Sequence, residues 1–245
     1  MARSALRYRG RGYFFWSVAV LLAAAGSSPA GENDTNAAGV ASTSASASSP
    51  ARRSIVILGD SLAAGYGVDP AEAFPALLQE KIDAAQLKFT IVNAGLSGDT
   101  TAGGLRRVDW VLRRPVDVLV IELGGNDGLR GLQPTATQTN LQGIIDRTRA
   151  RYPRAEIVLA GMQMPPNLGL EFTEAFRRVY PEVARSNHLV LIPFLLEGVG
   201  GRPELNQTDG IHPTVEGHRR VAETVWKYLQ PALEKAASPL GSPSR

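Results

Sequence analysis

Ile55-Val56-Ile57-Leu58-Gly59-Asp60-Ser61-Leu62 is an unbroken run of branched apolar residues that stops at glycine, aspartate and serine. Such a run suits a strand covered on both faces, and Gly59 lets the chain turn tightly at its end. Asp60-Ser61 suits the opening of a helix. A buried strand feeding a helix through a short turn is the repeating unit of parallel α/β architecture. Working outward, similar apolar runs occur at 89–93, 116–123, 156–160 and 189–193, with a first strand at 54–58. Helical patterns lie between or after them at 73–85, 101–113, 135–150, 171–185 and 214–234, punctuated by Pro134, Pro153 and Pro213. Strand-helix alternation of this kind gives a parallel sheet with helices on both faces, and its ligand site lies beyond the carboxyl ends of the strands.

The chain has 245 residues, 44% hydrophobic and 20% charged, which fits one domain with a sizeable core. Its formal charge is +3, but Arg3, Arg7, Arg9 and Arg11 precede residue 12 and the first 30 residues contain no acid, which leaves −1 for the remainder. The basicity therefore belongs to the amino terminus, and a nucleic-acid partner is not expected. That terminus reads as a secretory leader over 1–30, with a basic start, an apolar run from Tyr13 to Ala25 and small residues up to Ala30. The apolar run is shorter than the roughly 20 residues a spanning helix needs, so cleavage is expected, with an uncleaved anchor as the alternative. Residues 31–52 are rich in Ala, Ser and Thr and read as a linker, and 236–245 as a frayed tail. The folded unit is expected over 53–235. Without cysteine there is no disulfide or lipid-modified thiol, and the address implied is periplasmic or secreted.

Four short segments carry polar chemistry: Gly59-Asp60-Ser61, Ser97-Gly98-Asp99-Thr100, Gly124-Gly125-Asn126-Asp127 and Asp209-Gly210-Ile211-His212-Pro213. Ser61 is a candidate nucleophile, although Asp-Ser before a helix is also ordinary capping. His212 is the candidate base: His188 stands near a strand start and His218 inside a helical pattern, whereas His212 lies in a loop. Asp209, three residues earlier, can accept the imidazole Nδ1–H and leave Nε2 facing the serine; alternatively it only shapes the turn with Gly210. The Gly98 backbone amide and the Asn126 side-chain amide are candidate oxyanion donors beside the Ser61 amide, against a reading of both as plain turns. Asp99 and Asp127 read as braces for these loops. Together the segments supply the parts of a serine hydrolase.

The same segments resemble, in order, the four blocks of the SGNH (GDSL) hydrolase superfamily, and especially its bacterial thioesterase I/lysophospholipase L1/arylesterase group. The resemblance rests on Ile57–Leu62, Ser97–Thr100, the long Glu122–Gly131 match and Asp209–Pro213, with Glu174-Ala175-Phe176 and Val179-Tyr180-Pro181 as further similar sequence. It implies a three-layer α/β/α, flavodoxin-like fold with a five-stranded parallel sheet. It also implies a Ser61-His212-Asp209 triad, an oxyanion hole of Ser61, Gly98 and Asn126, and an acyl-enzyme mechanism without metal or cofactor. Acyl esters and thioesters are the implied substrates, with transient contact with membrane lipid and a monomeric state as further expectations. Met164, Pro165 and Leu168, in an apolar stretch with Met162, Pro166 and Leu170, are expected to form an acyl-binding wall or else a simple cap over the sheet edge. Two alternatives stand beside this reading. A carbohydrate O-acetyl esterase would use the same residues but a more polar, open groove. A non-catalytic binding module is the other, although Gly124–Gly128 lacks both P-loop and Gly-x-Gly-x-x-Gly spacing. A metal site from Asp60, Asp209 and His212 lacks a ligand signature.

Overall fold

The computed structural model describes residues 52–237. The expected leader, almost the whole expected linker and the last eight residues of the chain lie outside the described residues. The described chain begins in β1 (Arg53–Gly59) and α1 (Ser61–Ala64) and continues through α2 (Phe74–Ala84), β2 (Phe89–Gly95) and α3 (Thr101–Val111). β3 (Val118–Glu122), α4 (Gly125–Leu129), α5 (Pro134–Arg151) and β4 (Glu156–Ala160) follow. α6 (Leu170–Asn187), β5 (Val190–Ile192) and α7 (Val215–Ala237) complete it.

All pairings in the five-stranded sheet are parallel, in the order β2-β1-β3-β4-β5. α3 packs on α5 and α5 on α6, whereas α2 packs on α7, giving two helical layers around the sheet. The order reverses direction at β1, whose neighbours are β2 on one side and β3 on the other. That is the switch point at which parallel sheets open a crevice.

β3 is buried along its full length and β1 from Ile55 onward, as their continuous apolar runs require. β2 has a sheet neighbour on one side only and is more exposed, with Thr90 and Asn93 open to solvent. Register places Gly59 opposite both Gly95 and Glu122. The loops carrying Ser61, Gly98 and Asn126 therefore leave the sheet at one level, two to four residues beyond these paired ends.

Three details depart from the sequence reading. His188 does not start a strand; it caps α6 in the left-handed conformation at φ 52°, and β5 spans only Val190–Ile192. α7 continues through Ala236 and Ala237, where fraying was expected, and the Ala236 carbonyl accepts a hydrogen bond from the Arg53 guanidinium. Two short helices, α1 and α4, sit inside the motif segments and are too brief to show periodicity.

Candidate active site

Ser61 is the first residue of α1, immediately after β1. Asp60 caps this helix, its Oδ1 accepting from the Leu62 amide at 3.0 Å. The cap is compatible with the nucleophile reading of Ser61, because it fixes the turn that presents the serine. Beneath the turn, the Glu122 carboxyl at the end of β3 is fully buried, and its Oε2 accepts from the amides of Asp60 (3.1 Å) and Ala63 (3.2 Å). A Cβ on Gly59 would stand 2.4 Å from that oxygen, so glycine is needed there for close approach and not for an unusual φ. Burial, and then the neighbouring Asp60, push Glu122 well above the ordinary carboxylate range. Burial likewise raises Asp60 to about 6, against the lowering effect of its bonds from Leu62 and Asn126.

Far along the chain, the loop before α7 returns His212 to this turn. Its Nε2 lies 2.9 Å from Ser61 Oγ and its Nδ1 2.6 Å from Asp209 Oδ2. Asp209 Oδ1 also accepts from the backbone amides of Ile211 (2.9 Å) and His212 (3.0 Å), so the acid shapes its loop as well as orienting the ring. These bonds, led by the one from the His212 side chain, hold Asp209 down to about 2. Gln207 fastens the loop: its amide donates to the His212 carbonyl at 2.7 Å, and its side chain donates to the Tyr66 carbonyl at 2.7 Å. The Tyr66 ring lies 4.5 Å from the imidazole between centroids.

On the other side of the crevice, Asn126 is the second residue of α4. Its Nδ2 donates to Asp60 Oδ2 (3.1 Å) and to the Asp99 carbonyl (2.9 Å). Gly98 precedes Asp99 at φ +80°, and its carbonyl accepts from Arg130 at 2.9 Å. Asp127 is a brace, as its position suggested. It is 1% exposed and accepts from the Thr101 amide at 2.8 Å and from the hydroxyls of Thr101 and Thr137.

A cavity of about 450 Å³ opens beside Ser61, Asn126 and His212. Its wall is mainly apolar, including Leu62, Leu129, Met162, Met164, Pro165, Phe194 and Ile211. Met164 and Pro165 stand where the sequence reading placed them. Leu168 lies in the following 3-10 turn, exposed and outside the cavity wall. Gly98 is exposed and also stands outside the wall. Sequence reasoning missed Phe194, Tyr66 and Gln207, which stand outside the four segments, and Leu129, Ile211 and Glu122, which lie inside matched blocks but were assigned no role there. Among the described residues, no group of three or more acidic or histidine side chains is placed to hold a metal ion.

Residues 57–220 match the model of the GDSL-like Lipase/Acylhydrolase family. The chain belongs to that family. It is 44% identical over 184 residues to Esterase TesA of Pseudomonas aeruginosa, covering 75% of this chain and 90% of that one. It is 43% identical over 181 residues to Thioesterase 1/protease 1/lysophospholipase L1 of Escherichia coli K12, covering 73% of this chain and 84% of the relative. A crystal structure of TesA superposes with TM-score 0.70 at 44% identity, covering 73% of this chain and 99% of that chain. This GDSL hydrolase is thus an esterase by family, and the α/β fold described above is the fold of its structural neighbours. Among its described residues no helix is long and apolar enough to cross a membrane.

Proposed function

We propose that this GDSL hydrolase cleaves medium or long acyl esters and thioesters, lysophospholipids among them, through an acyl-enzyme on Ser61. One observation carries the reading: the continuous Ser61–His212–Asp209 hydrogen-bond relay opens directly onto an apolar cavity. His212 Nε2 takes the Ser61 proton as Oγ attacks the carbonyl carbon, while Asp209 fixes the tautomer and stabilises the imidazolium. Negative charge developing on the carbonyl oxygen is met by the Ser61 and Gly98 amides and Asn126 Nδ2. The oxyanion competes with Asp60 for the Asn126 amide protons, so this donor is held in place before substrate arrives. His212 then protonates the leaving alkoxide or thiolate. In the second half it removes a proton from water, which attacks the acyl carbon; the bond between the acyl carbon and Oγ breaks, His212 returns the proton to Ser61 Oγ, and the acid leaves.

Cavity volume and lining favour an acyl chain over an acetyl group on a sugar, which calls for polar groups around the leaving group. The basic and apolar amino terminus supports an exported enzyme acting outside the cytoplasm, where lysophospholipids and small esters are available. The test is hydrolysis of p-nitrophenyl esters from acetate to palmitate, with Ser61→Ala alongside. Turnover rising with chain length beyond acetate and abolished in the variant supports the proposal. An acetate optimum overturns the substrate class, and a fully active S61A overturns the mechanism.

A further inference from the structure

The three proposed oxyanion donors come from three separate loops, after β1, β2 and β3. Parallel register aligns the strand ends, but beyond them the loops depend on individual hydrogen bonds, such as the Leu96 amide to the Gly59 carbonyl (3.0 Å) and Asn126 Nδ2 to Asp60 and Asp99. A misplacement of about 1 Å in such a constellation costs about 10²-fold in rate, so something must hold the loops to one another.

Arg107, on the second turn of α3, reaches two of them. Its Nη2 donates to the Gly59 carbonyl at 2.9 Å, two residues before Ser61. Its Nε donates to Asp99 Oδ2 at 2.7 Å, one residue after Gly98. The third donor is one bond further, since the carbonyl of that same Asp99 accepts from Asn126 Nδ2. The pair is shielded, with side chains 20% (Arg107) and 8% (Asp99) exposed, which separates it from an ordinary surface ion pair. Asp99 reaches this position by folding over the start of α3, where a Cβ on Gly103 would stand 1.7 Å from its Oδ1. A planar guanidinium can serve both acceptors from a fixed fork; a lysine ammonium at the same place is a point donor on a flexible stem.

We infer that Arg107 is a positioning residue for the oxyanion hole, locking the Ser61 and Gly98 loops at the separation the transition state requires. The inference rests on the oxyanion roles proposed above. Arg107 does not touch substrate, so its loss acts on kcat and leaves KM nearly unchanged.

The experiment compares wild type, Arg107→Ala and Arg107→Lys in the full chain. It measures kcat and KM on p-nitrophenyl butyrate, Tm, and inhibition by an alkyl boronic acid, which forms a tetrahedral adduct with the serine, and by butyrate. Both variants are expected to lose about 10²-fold in kcat. Boronate binding should weaken in parallel, butyrate binding should be unchanged, and millimolar methylguanidinium should restore part of the activity of R107A only. Lysine keeps the stem and charge, so R107K decides the matter where R107A does not fold. Rates within threefold of wild type overturn the inference, and so does lost rate with boronate and butyrate weakened equally. S61A separates the two claims: an active S61A removes the underlying mechanism, whereas an inactive S61A with normal Arg107 variants removes only the positioning role.

Discussion

His218→Leu should make this protein less stable at pH 8 yet flatten its response to acid. His218 lies in α7, is 1% exposed, and its Nδ1 accepts from the Phe74 amide at 3.3 Å. That amide opens α2, whose capping residue Ala73 has no side-chain acceptor to offer, so the histidine of a neighbouring helix takes the place of a cap. With Nδ1 accepting, Nε2 carries the proton, and it is buried with no partner among the described residues. A second proton would place a charge in the core and remove the Phe74 acceptor. Burial accordingly lowers His218 from 6.5 to about 4, with the charge of His212 adding to the effect.

The folded state therefore resists the proton that the unfolded chain accepts. Stability from this site is complete above about pH 6.5 and is lost as pH falls through 6.5 toward 4. At 1.36 kcal/mol per pH unit, the loss between pH 8 and pH 4 is about 3 kcal/mol. Leucine cannot accept from Phe74, so the variant loses about 1–3 kcal/mol at pH 8, where the amide is left unpaired. It has no proton to bind, however, and the gap to wild type should close or reverse by pH 4. Urea titrations of both proteins at half-unit intervals read the difference directly and cancel every other titrating group. A difference constant to within about 0.5 kcal/mol from pH 8 to 4 would refute the account of a neutral buried histidine, because linkage then assigns His218 the same pKa folded and unfolded.

Asn126→Ala should lower kcat on p-nitrophenyl butyrate by roughly 10²–10³-fold with little change in KM, measured by steady-state kinetics. Glu122→Gln keeps an acceptor for the Asp60 and Ala63 amides and should stay within about 1 kcal/mol of wild type. Glu122→Leu strands both amides and should cost several times more, at about 1–3 kcal/mol for each, read by urea denaturation. Gly124→Ala puts a Cβ 2.0 Å from the Tyr180 hydroxyl at φ +116°, and should lower Tm through about 1–3 kcal/mol of backbone strain plus the clash. Asp209→Asn should depress kcat far more than KM, since an amide can present its NH2 to Nδ1 and reverse the tautomer that Nε2 needs.

The parallel sheet was legible because continuous apolar runs separated by helical periods have few other solutions. Its five strands, five long helices and the convergence of Ser61, Asp209 and His212 follow the sequence reading closely. The substrate wall was less legible. Met164 and Pro165 line the cavity but Leu168, in the 3-10 turn that follows, does not, because hydrophobicity carries no direction. Phe194 and Ile211 look like any other apolar loop residues until the β5–α7 loop is folded back over the sheet edge. In sequence His188 stands at the start of an apolar strand run, yet a helix ending in the left-handed conformation uses it as a cap.

At Asp60 a local stability rule and the proposed oxyanion hole pull in opposite directions. A carboxyl 2% exposed is an unfavourable place for a charge, and burial accordingly raises Asp60 to about 6. Because the folded value lies above the ordinary 3.8, Asp60 detracts from stability as pH rises from about 4 through 6, opposite in sign to His218. Asparagine would remove the charge and keep the Leu62 cap, so stability alone would favour it. It would also turn an NH2 toward Asn126 Nδ2, setting donor against donor and releasing the amide that faces the cavity. Asp60→Asn should therefore raise stability at pH 8 relative to pH 4 while lowering kcat. A variant that gains stability at pH 8 and keeps full kcat would show that the aspartate is only a cap.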